Sequence, residues 1–291
     1  MSAVPGALGG GRRRGRVSGG LFHGFLLFSL ALGIGTLVAL LAQVIIKGWS
    51  NVDAVLLFEP PSADPAIAGA KPAIIATIYL GLLVIALTVP IGVATAIYLE
   101  EYANKNRWYN RLLEVNIQNL AAVPSIVYGI LGLAFLVRGL GLGRVLLAGA
   151  LILTLLVLPT VIISAREGIR AVPGSIREAA YALGATKWQV VWRQVLPAAT
   201  PGIATGSILA LSRALGETAP LLLVGALTYV SFNPTLLGDF TALPVQIYQY
   251  IQRPQEAFKT VAAAGMVVLL VILLLLNSVA IWLRNRYQRK W

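Results

Sequence analysis

Arg213 and Glu217 are the two ionisable residues in an otherwise apolar stretch that runs from Gly202 to Gly225. A guanidinium stays protonated at physiological pH and presents a planar fork of N–H donors that fits the oxygens of a tetrahedral oxyanion. A carboxylate four residues further on lies on the same face of a helix, one turn away and within reach of that fork. If the stretch crosses a bilayer as one helix, Arg213 sits near its middle, where a lone Arg costs at least about 2.5–3.5 kcal/mol. Glu217 offsets that cost under either of two readings. The pair is a structural tie between helices, or it is a transient anion site whose charge is partly cancelled so that the anion can leave. Pro220 favours the second. It lacks an N–H, so the Gly216 carbonyl loses its i+4 partner, and broken backbone at depth is tolerated where it is buried in protein or lines a watery cavity.

Composition removes most other chemistry. There is no Cys, and the one histidine, His23, cannot build a metal site alone. Glu217 as an intramembrane base would lack a nucleophile, a metal set or a second carboxylate at depth. A phosphate-binding GxxxxGK[ST] loop is absent, since no Lys in the chain follows a Gly. Hydrolysis of ATP is therefore not expected of this chain.

The elements that must position the charged pair follow from hydropathy. Of 291 residues, 58% are hydrophobic and 12% charged, against about 25% charged in soluble domains. Apolar stretches run roughly Leu21–Ile46, Ala73–Leu99, Ile117–Val137, Val145–Ser164, Gly202–Gly225 and Val261–Leu283. Each is long enough as helix to cross about 30 Å of hydrocarbon. Runs such as Val267 to Leu276 do not alternate, which excludes a barrel. The expected fold is an all-α polytopic membrane protein of six transmembrane helices spanning 21–283, with basic tails at 1–20 and 284–291.

Six spans place both termini on one side. That side carries sixteen Lys and Arg, in the two tails and the loops 100–116 and 165–201, against six on the other. The positive-inside rule makes the first side cytoplasmic. Most of the net charge of +12 is thus a topology signal, and nucleic acid is not an expected partner. The outer loops, Lys47–Pro72 and Ala226–Thr260, hold aromatics including Trp49, Phe58, Tyr229, Phe232 and Tyr248. They serve as interfacial anchors or as a docking surface for an external partner.

The segment from Ala165 to Pro201 is too polar to span and rich in helix signals. Ser175 stands three residues before Glu178, the spacing of a capping box, which predicts a short helix from Ile176 to Leu183 ending at Gly184. Thr186 and Gln189 repeat the box and open a second helix, through Trp188 and Trp192, expected to end near Pro197. Between them Gly184-Ala185 forms an elbow. Ala179, Ala180 and Ala182 leave little bulk, so another protein could approach the backbone. Spacing alone equally allows an amphipathic hairpin lying on the membrane.

Glu178-Ala179-Ala180, Gly184 and Leu196-Pro197 resemble the EAA loop of ABC-importer permeases, with Gln194 standing where that family has an aliphatic residue. Four further segments resemble the phosphate-importer permeases of the PstA type. They are Tyr98-Leu99-Glu100-Glu101-Tyr102, Val123-Pro124-Ser125-Ile126-Val127-Tyr128-Gly129, the run from Arg213 through Gly216, Glu217, Thr218 and Ala219 to Pro220, and Phe240-Thr241-Ala242-Leu243-Pro244. The resemblance covers about Leu21 to Arg286. It implies a type I ABC-importer permease fold with short cytoplasmic coupling helices, in a bacterial or archaeal cytoplasmic membrane. It implies an ATPase-coupling surface at Ser175, Glu178, Ala179, Ala180, Gly184, Thr186, Leu196 and Pro197, and a phosphate pathway around Arg213. The partners it implies are a PstC-like permease, a dimer of cytoplasmic ATPases carrying the ATP and Mg, and an external phosphate-binding protein. This chain itself would bind no cofactor. Sulfate and molybdate remain alternative oxyanions, because an Arg fork does not distinguish them, and a proton-coupled transporter using Glu217 is the more distant alternative.

Overall fold

The structure is a computed structural model that describes residues 11–104, 106–224 and 230–287. The first ten residues of the basic tail, Lys105, Gly225, Tyr229, Arg289 and Lys290 lie outside the described residues. The chain divides into two units, Met1–Lys47 and Gly48–Trp291. The first unit is built on helix α1 (Gly11–Gly48), so the backbone of the expected basic tail is already helical from Gly11. At about 1.5 Å per residue this helix exceeds the hydrocarbon thickness.

The second unit holds every other element. After a short α2 (Ala54–Phe58), α3 (Lys71–Ile97) continues into a π-turn at Tyr98–Tyr102. Then come α4 (Trp108–Ala121), α5 (Ser125–Gly132, extended by a π-turn to Gly139), α6 (Leu146–Arg170), α7 (Gly174–Ala182), α8 (Lys187–Val190), α9 (Leu196–Gly216), α10 (Ala219–Val224), α11 (Leu243–Ile251) and α12 (Glu256–Tyr287). Helix α6 is the axis of this unit. Its apolar residues are buried on nearly every side, from Leu146 to Ile169, and α3 and α9 flank it. A Cβ at Gly202 would lie 2.9 Å from the Gly168 Cα, so these two glycines let α6 and α9 approach backbone to backbone. Small residues do this commonly where lipid supplies no hydrophobic drive for helices to associate.

Among the described residues five helices are long and apolar enough to cross a membrane, or six if one bent pair is counted. That pair corrects the expected third span. Ile117–Val137 is not one helix: α4 and α5 meet at 104°. Pro124, at φ −57° and ψ 140°, has no N–H to continue the ladder and disfavours α geometry at Val123. The fifth span is corrected too. A single helix runs from Lys187 to Gly216, so it begins fifteen residues before the expected Gly202 and ends well before Gly225.

Candidate functional site

Arg213 lies in the last turn of α9, and Glu217 has already left the helix, with φ −75° and ψ 127°. Their separation is 3.5 Å from Nε to Oε1, a contact longer than a good charge-assisted hydrogen bond. The expected i, i+4 pair on one continuous helix is therefore a pair across a helix end. The ladder stops three residues ahead of Pro220, which instead occupies the second position of α10, where a missing N–H costs little. The Arg213 side chain is 44% exposed and that of Glu217 18%. Gly216 is exposed and Thr218 half-buried, whereas Pro220 is buried.

The reason for that burial is a close contact. A Cβ on Gly129 would stand 2.7 Å from the Pro220 Cα, so α5 lies directly on the start of α10. Two interrupted helices, one at Pro124 and one at Glu217-Thr218, are thereby held side by side. The Tyr128 hydroxyl donates to the Leu120 carbonyl across the first break at 2.9 Å, and Arg213 lies within electrostatic reach of that phenol. Ser212, next to Arg213, donates to Asn277 on α12 at 2.8 Å. The guanidinium is thus carried by a braced helix end and keeps donors open beside exposed backbone. Such an arrangement can meet an oxyanion and release it.

The second group of expected residues forms a surface at the other end of the Lys187–Gly216 helix. The Ser175–Glu178 capping box is not formed: α7 starts two residues before the expected Ile176, at Gly174, with Pro173 as its N-cap and no side-chain cap. Ser175 is therefore inside the first turn, because Pro173 at φ −56° and ψ 138° already supplies the extended entry. The C-terminal expectation holds. Gly184 adopts φ +80°, its N–H reaches the Tyr181 carbonyl at 2.9 Å, and the Ala185 N–H reaches Ala180 at 3.1 Å, the bond pattern of a Schellman ending. Thr186 and Gln189 form the expected reciprocal box. The helix they open does not stop at Pro197. Residues Val191–Val195 form a π-turn in which the Leu196 N–H reaches back to Val191. Widening the turn there accommodates a proline that a strict α-ladder would not.

Glu178, Ala179, Gly184 and Thr186 are exposed, Ala180, Leu196 and Pro197 half-buried, and Leu183 at the tip is 89% exposed. Trp188 and Trp192 pair at 5.1 Å. Glu178 makes no hydrogen bond or ion pair among the described residues. This is a bare, small-residue ledge.

What fixes the ledge was not singled out from sequence. Arg177 donates through Nε and Nη2 to Glu101 at 3.1 and 2.9 Å, and through Nη1 and Nη2 to the carbonyls of Val172 and Ile169 at 2.7 and 2.9 Å. Arg166 bridges Glu100 at 2.9 Å and Glu114 at 2.6 Å, and Arg170 joins Glu100 at 2.7 Å. The π-turn after α3, the middle of α4, the end of α6 and the first half of α7 are thus bound by ion pairs. Lys187 adds a cation–π contact over Tyr102 at 4.8 Å. The signal was present in two adjacent carboxylates, Glu100 and Glu101, closing an apolar span opposite a loop rich in Arg.

A nearly all-helical membrane core, an Arg–Glu pair across a helix end and an exposed short helix at the other end of the same span fit an integral membrane transport subunit. The chain belongs to the family described as the binding-protein-dependent transport system inner membrane component, which matches residues 88–291. It is 33% identical to the phosphate transport system permease protein PstA of Yersinia pestis over 273 residues, 92% of this chain and 89% of that one. It is 32% identical over 262 residues to the phosphate transport system permease protein PstA 1 of Mycobacterium tuberculosis, covering 88% and 86%. Its fold is shared with a bacterial alginate ABC transporter solved in complex with an alginate-bound periplasmic protein, at 17% identity, TM-score 0.67, and coverage of 93% of this chain and 96% of that one. The fold is that of the type I ABC-importer permeases.

Proposed function

We propose that this chain is the PstA-type permease subunit of an ATP-driven importer that carries inorganic phosphate inward across the cytoplasmic membrane of a bacterium or archaeon. The observation that carries the substrate reading is Arg213 at the helix end, half-exposed and only loosely paired with Glu217 at 3.5 Å. Its free donors suit a tetrahedral oxyanion, and the nearby carboxylate prevents tight retention. Relatives named for phosphate transport along nearly the whole chain support the choice of anion.

In this scheme both termini are cytoplasmic, and a PstC-like permease completes the pathway. Two ATPase subunits, which hold the ATP and Mg, dock on the ledge formed by Glu178, Ala179 and Gly184, and a phosphate-binding protein meets the outer loops. Movement of the ledge reaches the pathway by two routes. Arg177 passes it to the end of α3 through Glu101. The unbroken helix from Lys187 carries it to Arg213, about 40 Å away at 1.5 Å per residue. A rod of this length moves as a body, so a small displacement at Thr186 shifts the Arg213–Glu217 break.

The test is uptake of labelled phosphate into proteoliposomes that contain this chain, its partner permease, the ATPase and the binding protein. ATP-dependent uptake indifferent to excess sulfate is expected. Competition by sulfate would transfer the reading to another oxyanion, and uptake without ATP would overturn it.

A further inference from the structure

A cavity of about 810 Å³ opens between α4 and the ends of α3 and α6. It is distinct from the Arg213 break and from the α7 ledge. Its lining mixes two kinds of chemistry. Arg107 and Arg111, one turn apart, line it together with the apolar Leu99, Trp108, Leu112 and Val115. The cavity also reaches Arg166 and Arg170, but these are neutralised by Glu100, Glu114 and Glu167. Arg107 and Arg111 have no carboxylate within ion-pair distance among the described residues. The cavity therefore holds two arginines without a carboxylate partner among the described residues.

Helix α4 has the form of an interfacial helix. Asn110 and Ile117 are buried toward α6, and Glu114 turns inward to Arg166. Trp108, Leu112 and Val115, at i, i+4 and i+7, are exposed. Asn110 holds the approach, its Nδ2 donating to the Asn104 carbonyl at 2.9 Å. Five residues separate Trp108 from the last residue of the α3 span, Tyr102, so α4 begins at the level where hydrocarbon gives way to headgroups. Apolar side chains facing lipid beside unpaired arginines at that depth match a ligand with an anionic head and acyl chains.

We infer that this cavity binds an anionic phospholipid, its phosphate held by Arg107 and Arg111 and its chains lying along Trp108, Leu112 and Val115. The site is independent of the substrate assignment and rests on the proposed orientation only for naming the inner leaflet. A bound lipid would also wedge against the wall containing Arg166 and Arg170, whose ion pairs tie the end of α6 to α4 and to the π-turn after α3, and so would stiffen the coupling end.

The experiment is native mass spectrometry of the full chain in detergent, titrated with cardiolipin, phosphatidylglycerol or phosphatidylcholine, and in a separate arm with inorganic phosphate. The expected result is retention of the two anionic lipids over phosphatidylcholine, without displacement by inorganic phosphate. The double variant Arg107→Gln/Arg111→Gln should weaken that retention about thirtyfold, from roughly 1 kcal/mol for each arginine. Arg107→Lys/Arg111→Lys, which keeps the charge, should retain most of it, and Arg138→Gln at the other end of the molecule should leave it unchanged. Identical adducts in wild type and the Gln double variant would overturn the proposal. So would displacement by inorganic phosphate, which would make this an ion site. Loss of ATPase association in the Gln double variant with lipid adducts intact would assign the surface to a protein contact and would overturn it equally.

Discussion

Arg177 and Glu101 form the joint between the exposed ledge and the membrane core. One guanidinium binds a carboxylate 76 residues away in sequence through two nitrogens, and its remaining reach closes two carbonyls at the end of α6. The Glu101 side chain is only 8% exposed. Removing one partner of such a pair leaves the other poorly solvated, at a cost of about 3 kcal/mol. Arg177→Ala should lower the melting temperature of the purified subunit and reduce transport more than ATP hydrolysis in the reconstituted importer. Equal loss of both activities with unchanged stability would contradict a joint between ledge and core.

Gly184 sits at φ +80° with open space around the position of a Cβ. Substitution there meets backbone strain rather than a clash. Gly184→Val should cost about 1–2 kcal/mol and distort the elbow between α7 and α8. The expected phenotype is a protein that inserts and assembles but hydrolyses ATP without moving substrate, read by comparing ATPase rate with uptake in the same vesicles. Glu178→Trp should give the same uncoupling by bulk alone, with no change in the stability of the subunit.

At the break in the fifth span, Arg213→Gln removes the charge and keeps hydrogen-bonding ability. Phosphate flux should fall at least tenfold while the complex still elutes as an intact assembly on size exclusion. Glu217→Gln removes the neutralising carboxylate instead. Flux should again fall, this time with tighter retention of phosphate in equilibrium binding, because the departing anion leaves an uncompensated guanidinium. Failure of both variants to assemble would make the pair a structural tie.

Gly129 lies where a methyl group would collide with Pro220 backbone at 2.7 Å. The contact is backbone, not a flexible side-chain tip. Gly129→Ala should therefore force α5 from α10, destabilising the subunit by about 1–3 kcal/mol and lowering flux through a shifted break. A thermal melt with parallel uptake measurements checks it. Gly216→Ala, at a site with nothing within 4 Å, is the control, and its stability should stay near that of the wild type.

Much was legible from local sequence. Hydropathy fixes which stretches enter the membrane, since burying backbone in lipid demands long apolar helices. The Thr186–Gln189 box and the Gly184 ending depend on a few neighbouring residues and form as their spacing predicts. The four-residue spacing of Arg213 and Glu217 was likewise plain, though the structure ends the span at Gly216 and leaves Glu217 outside it. Helix ends decided by proline were less legible, because a proline starts, ends or bends a helix according to what surrounds it. Pro173 replaces the Ser175 cap, Pro197 is absorbed by a π-turn, and Pro124 bends a span by 104°.

The sequence by itself determined a helical membrane protein with a closely spaced Arg213 and Glu217 and a capped elbow, because hydropathy, charge and capping act over one or two turns. Only the tertiary structure decided that Glu217 lies beyond its helix, that Gly129 packs on Pro220, and that an unbroken helix joins Lys187 to Gly216. It also decided that Glu100 and Glu101 meet Arg166, Arg170 and Arg177. The ion pairs join residues 66 to 76 positions apart, and no short-range signal specifies which distant charge or backbone a residue will meet.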